Sequence, residues 1–141
     1  DVAPSRGLGD VYKRQALHIR LKGRKIPIKE ALLNQEIIAG LGNIYVDEVL
    51  FASRISPLRE ACDVSCTECG KILEESRKIL NKAISYKGTT IRSYTSSLGV
   101  IGEFQKFLCV HTKEICPICK GEITKTRISG RGTYYCARCQ K

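Results

Sequence analysis

"ICPICKGEITKTRISGRGTYYCARC", residues 115–139, carries two Cys-x-x-Cys pairs, Cys116/Cys119 and Cys136/Cys139, on either side of a 16-residue span. Each pair delivers two thiolates from one tight turn, and two such turns supply the four soft ligands that tetrahedral zinc requires. No histidine or carboxylate replaces a ligand and no position is left open, so one structural zinc is expected. A redox dithiol would need only one pair, set in a β–α–β pattern that is absent. Between the pairs, "EITKTRI" and "TYYC" flank "SGRG", which predicts a β-hairpin. So small a segment has little apolar surface, and metal binding is expected to supply much of its folding energy.

The rest of the chain places this segment in context. Its 141 residues suit one ordinary domain or two small ones, and a hydrophobic content of 43% permits a packed core. No run of 18 apolar residues exists, so nothing predicts a membrane span, and no signal peptide is recognisable. Eight cysteines could build a disulfide scaffold, but the paired spacing points to zinc in a reducing compartment.

The net charge of +10 favours a polyanionic partner, nucleic acid before acidic membrane. Residues 11–29 hold seven basic side chains (Lys13, Arg14, Arg20, Lys22, Arg24, Lys25 and Lys29) and no acid. Residues 106–141 hold eight basic side chains against two acidic ones. A solvated surface explains some of this charge, and cations near the cysteines offset the formal −2 of a four-thiolate zinc. Arg131 stands apart: between two glycines at the hairpin tip, it is free to reach a phosphate, or to be only an exposed turn residue.

Upstream the pattern is mainly helical. "PIKEALLNQEIIAG" sets Pro27 near a helix start and Gly40 near a stop. "GLGNIYVDEVLFASRISP" opens with Gly-x-Gly-Asn and runs into a second apolar helix, buried on more than one side and ended by Ser56-Pro57. Ser65 and Glu68 form a capping box. Behind it Cys69, Ile72, Leu73, Ser76, Ile79, Leu80, Ala83 and Ile84 make one buried stripe, with Gly88 as the stop. "TTIRSYTSSLGVIGEF" reads as a long loop, followed by a short strand around 104–108. Cys62, Cys66, Cys69 and Cys109 are poor candidates for a second metal site. His18 and His111 lack partner spacing and read as surface or packing residues.

"LLNQEIIAGLGNIYVDEVLFASRISPLR" together with "GRGTYYCARCQK" resembles the bacterial formamidopyrimidine-DNA glycosylase family, repair enzymes for oxidised bases. "GLGNIYVDE" looks like its helix–two-turn–helix motif, and the resemblance spans about residues 16–141. Residue physics agrees: glycines let a phosphate approach the backbone, and a helix start presents N–H groups and a positive dipole end. The resemblance implies that Asn43 and Arg131 bind the DNA backbone, with Lys29 a weaker candidate nearby. Asn43 also suits a plain N-cap. The loop over 88–102 is similar to the family's lesion-recognition loop, which puts Thr89, Thr90, Ile91, Arg92, Ser93 and Tyr94 against a flipped base.

The expected architecture is therefore a tail over 1–15, a helical DNA-binding domain over 16–103 and a zinc finger over 104–141. Residues 1–15 are expected to match nothing in the family and look adapter-derived. The family's N-terminal catalytic proline, glutamate and lysine have no counterparts, so no catalytic residue is assigned and the chain alone is expected to be inactive. Duplex DNA carrying an oxidised purine or abasic site is the expected partner, bound by a cytoplasmic monomer with no membrane association. Two rival classes stay open: a zinc-ribbon RNA-binding or ribosomal-type protein, and a zinc module that docks to protein.

Overall fold

The computed structural model describes residues 13–34, 42–92 and 108–141. Residues 13–21 form helix α1, followed by α2 (Ile28–Leu33), α3 (Asn43–Ala52), a 3-10 turn (Ala61–Asp63) and α4 (Cys66–Arg92). A two-stranded antiparallel hairpin, β1 (Thr124–Ile128) and β2 (Arg131–Tyr135), completes the described elements. No described helix is long and apolar enough to cross a membrane.

Two cores organise these elements. The larger gathers Leu17 and Leu21 of α1, Ile28, Ala31 and Leu32 of α2, Val46, Val49 and Leu50 of α3, and Cys69 and Ile72 of α4. The smaller gathers Phe51 of α3 with Val110, Cys116, Ile123 and Cys136. Helix α3 thus serves both cores, and all six residues from Val46 to Phe51 are buried. A helix between two cores has no solvent stripe, which explains its weak apolar periodicity.

Helix α3 ends at Ala52, earlier than Ser56-Pro57 predicts. A Schellman motif stops it: Arg54 N–H donates to Phe51 O at 3.1 Å and Ile55 N–H to Leu50 O at 3.0 Å. Arg54 takes the left-handed conformation (φ 63°) that glycine usually fills. Buried Ile55 packs in the same core as Leu50, supplying the apolar contact that accompanies such a stop.

The Ser65/Glu68 capping box forms as expected, with Ser65 N–H donating to Glu68 Oε1 at 3.0 Å and Glu68 N–H to Ser65 Oγ at 3.1 Å. Cys69, Ile72 and Ser76 are buried behind it. Gly88 does not stop α4, which continues to Arg92. A single glycine costs a helix only about 1 kcal/mol relative to alanine. Thr89, Thr90, Ile91 and Arg92 therefore lie on the last turn of α4 rather than in a loop. Ser93, Tyr94, most of the predicted strand around 104–108 and the predicted stop at Gly40 fall outside the described residues. Leu108, the described end of that predicted strand, is buried but in no strand.

The hairpin register pairs Thr124 with Tyr135 and Ile128 with Arg131. Ser129 (φ 52°) and Gly130 (φ 78°) form the two-residue turn, both left-handed as a tight hairpin with native twist demands. Arg131 accordingly opens β2, one step past the turn itself, and is exposed.

Candidate zinc centre and nucleic-acid interface

The two cysteine turns bring four sulfurs together, all within 4.8 Å of one another. Cys116 Sγ lies 3.8 Å from Cys139 Sγ, and Cys119 Sγ lies 3.5 Å from Cys136 Sγ. A tetrahedron with Zn–S bonds of about 2.3 Å separates its sulfurs by about 3.8 Å, so the cage fits zinc. None of the eight cysteines is in a disulfide.

The backbone shapes this cage. Ile118 N–H points at Cys116 Sγ and Gly121 N–H at Cys119 Sγ, each at 3.4 Å. A Cβ at Gly121 would sit 3.3 Å from Cys119 Sγ, a tight contact that glycine avoids. Burial opposes the Cys116 thiolate, but N–H groups of Cys119 and Ile118, together with the thiols of Cys136 and Cys119, bring its pKa down to about 7. Cys62, Cys66, Cys69 and Cys109 do not gather into a cluster among the described residues. Burial, followed by the charges of Cys66 and Glu68, pushes the Cys69 thiol up to about 12.

Polar side chains dock the zinc module onto α3. Glu48 accepts three backbone N–H groups, from Cys109 at 2.7 Å, Val110 at 2.9 Å and His111 at 3.0 Å. Asp47, one residue earlier, takes Lys29 Nζ at 2.7 Å on Oδ1 and His111 Nδ1 at 2.7 Å on Oδ2. Tyr134 N–H also donates to Asp47 Oδ2, at 3.3 Å. At the far end, Gln140 Nε2 donates to Ile55 O at 2.8 Å while its Oε1 accepts Cys136 N–H at 2.8 Å.

Asn43 is the first residue of α3, behind the extended N-cap Gly42. Its Nδ2 donates to Gly132 O at 3.2 Å, so it stands beside the start of β2, where Arg131 emerges. Its Oδ1 is buried with no hydrogen-bond partner among the described residues. No acidic side chain occupies the first turn of α3, and among the described residues a Cβ at Gly42 or Gly132 would meet nothing within 4 Å. An open helix start, an exposed arginine and an amide thus share one edge, a combination suited to an anion.

Lys29 departs from its expected place on that edge. It is fully buried, and its ammonium donates to Asp47 Oδ1, to Gly132 O at 2.9 Å and to Thr133 Oγ1 at 2.8 Å. All three protons are used internally, leaving none for phosphate. Burial pulls its pKa down, opposed by the Asp47 contact and reinforced by the Arg131 charge. Of the surface and packing readings, His111 takes the second: it is buried and edge-on to Tyr134 with ring centroids 5.0 Å apart, and it is also bound to Asp47, which neither reading foresees. Asp47, Glu48, His111 and Gln140 are the site residues that sequence reasoning missed. The signal available was "VDE", two adjacent acids inside an otherwise apolar helix.

Comparison with known proteins bears on both halves. The family model described as "Formamidopyrimidine-DNA glycosylase H2TH domain" matches residues 6–95, and "Zinc finger found in FPG and IleRS" matches residues 113–141. Formamidopyrimidine-DNA glycosylase of Ureaplasma parvum is 45% identical over 135 residues, covering 94% of this chain and 49% of that protein. A solved structure of MutM in complex with DNA containing carbocyclic 8-oxo-G is 37% identical, with a TM-score of 0.78 over 91% of this chain and 47% of its own. A complex of Lactococcus lactis Fpg with abasic-site DNA is 35% identical, with a TM-score of 0.79 over 100% and 56%. The chain spans about half the length of the curated relatives it matches.

Proposed function

The chain belongs to the formamidopyrimidine-DNA glycosylase family, and from that membership we propose that it grips damaged duplex DNA for base excision repair. In this reading Asn43 and the open start of α3 hold one stretch of phosphate backbone from the helical side. Arg131 holds it from the hairpin side, and the zinc keeps the hairpin in shape. The observation that carries the reading is the Asn43 Nδ2 to Gly132 O contact at 3.2 Å, which ties the two phosphate candidates to one point. The relatives' complexes with abasic-site and 8-oxo-G DNA support an oxidised-purine or abasic duplex as the ligand. In a longer protein carrying a catalytic domain, this half would orient the lesion while other residues break the glycosidic bond and the strand.

Fluorescence anisotropy on the zinc-loaded chain tests this, with an abasic-site duplex against a structured RNA of equal length. The expected result is preference for the abasic duplex and a strong salt dependence. Arg131→Ala should weaken binding and lower the salt slope by about 1, one phosphate contact's worth. Equal or tighter binding to the RNA, or an unchanged slope and affinity for Arg131→Ala, would reject the reading.

A further inference from the structure

We propose that Asp47 is a positioning residue, holding the tip of the zinc hairpin against the start of α3 and so setting where Arg131 and Asn43 stand. The proposal rests on the phosphate-gripping reading of those two residues. Its basis is a set of contacts that converge from three parts of the chain.

Asp47 is buried in the middle of the joint, its side chain wholly removed from solvent. It takes Lys29 from α2, His111 from the segment ahead of the first cysteine turn, and the Tyr134 N–H from β2. Lys29 then passes the hold onward to Gly132 O and Thr133 Oγ1. Thr133 Oγ1 in turn donates to Arg131 O at 3.2 Å. Through one direct contact and one relay, the carboxylate therefore reaches residues 131, 132, 133 and 134 in succession.

The hairpin needs such a hold. A two-stranded sheet is marginal alone, and these strands pair only with each other among the described residues. The zinc cage fixes the cysteine end of the hairpin, but the tip that carries Arg131 lies at the other end. Charges facing Asp47 are those of Lys29 and, when protonated, His111, so the carboxylate is the acceptor that both require. Gly132 O accepts from Lys29 and from Asn43 together, so loosening Lys29 loosens both phosphate candidates at once. A buried network of this kind, fully satisfied, selects one geometry.

Asp47→Asn keeps the size while turning an amide N–H₂ toward one set of donors. Lys29→Met with Asp47→Leu replaces the pair by apolar groups of similar volume and guards against simple misfolding. Both would be studied as the zinc-loaded full chain, with zinc content and unfolding midpoint recorded. The first reading is ¹⁵N relaxation without DNA. The Gly130 and Gly132 amides should become more mobile in either variant while the α4 amides stay unchanged.

The second reading is a double-mutant cycle with Arg131→Ala on the abasic duplex. Either hub change should weaken binding by about tenfold, and Arg131→Ala should then add little, as expected when two residues act through one contact. Unchanged tip relaxation, or an Arg131→Ala effect as large in the hub variants as in the parent, would overturn the proposal. If the tip loosens but Arg131→Ala is silent in the parent chain, the phosphate reading fails and the Asp47 hold stands.

Discussion

Glu48 of α3 and Val110 of the segment leading into the zinc module meet through a 2.9 Å hydrogen bond, carboxylate Oε2 to backbone N–H, with both residues buried. The same carboxylate takes the N–H groups on either side, so three consecutive amides converge on one charge. Truncation would leave these donors without an acceptor in a closed joint. Glu48→Ala should therefore cost at least about 3 kcal/mol, since each lost charged hydrogen bond is worth about 1.5–3 kcal/mol. Glu48→Gln should cost less, because one carbonyl oxygen remains. Urea unfolding of the zinc-loaded proteins measures both, and a Glu48→Ala loss below about 1 kcal/mol would show that water replaces the carboxylate.

Gln140 makes the corresponding tie at the other end of the module, bridging Cys136 N–H and Ile55 O. Lys141 N–H adds a contact to Arg54 O at 3.1 Å. Gln140→Ala should lower stability by about 1–3 kcal/mol, the cost of stranding buried backbone groups. It should also raise hydrogen exchange at Cys136 while leaving the α4 amides unaffected. Unchanged exchange at Cys136 would remove the bridge from the account.

How much of this could be read from the sequence depended on distance along the chain. The zinc knuckles and the Ser65/Glu68 box are local patterns whose partners lie three residues apart, and both are in place. The stop after α3 comes earlier than Ser56-Pro57 because Arg54 occupies a left-handed position that sequence patterns reserve for glycine. Gly88 does not act as a stop for the opposite reason: glycine permits a turn without requiring one. Asp47 and His111 are 64 positions apart, and Lys29 is 104 from Thr133, so no periodicity could pair them. The resemblance puts Lys29 on the DNA side, whereas burial turns it inward.

The start of α4 should respond to acid. Glu68 loses solvent on folding, which alone would raise its pKa, but Arg59 and the Ser65 N–H more than offset this and hold it below the ordinary glutamate value. Arg59 grips the carboxylate with two nitrogens, Nη2 to Oε1 at 2.8 Å and Nη1 to Oε2. A depressed carboxyl pKa stabilises the fold above the unfolded value, and that stability is lost as pH falls through the folded value. The stability difference between the parent and Glu68→Gln should thus be constant near neutrality and shrink as pH falls below the ordinary glutamate pKa and through the lowered folded one. Zinc release in acid is common to both proteins and cancels in the difference. A difference independent of pH would refute the Arg59 contribution.

Thiol labelling separates the two kinds of cysteine and tests the zinc in the same measurement. Four sulfurs bound to zinc are shielded from an alkylating reagent, whereas unbound thiols react according to exposure and thiolate content. Cys69 is fully buried with its pKa pushed up to about 12, so it should stay inert in the folded chain. Cys62, Cys66 and Cys109 are half-buried and should label first. Zinc-loaded protein is therefore expected to contain one metal per chain and to take at most three labels quickly. Adding a chelator should release Cys116, Cys119, Cys136 and Cys139 together, because removing the metal undoes the cage that all four share. The hairpin has little core of its own, so the same step should disorder residues 115–139 while α4 persists, visible as selective loss of their dispersed amide signals. Fast labelling of the four cysteines in untreated, metal-replete protein would exclude the zinc assignment. Release of only two of them by the chelator would mean that the paired knuckles do not act as one site.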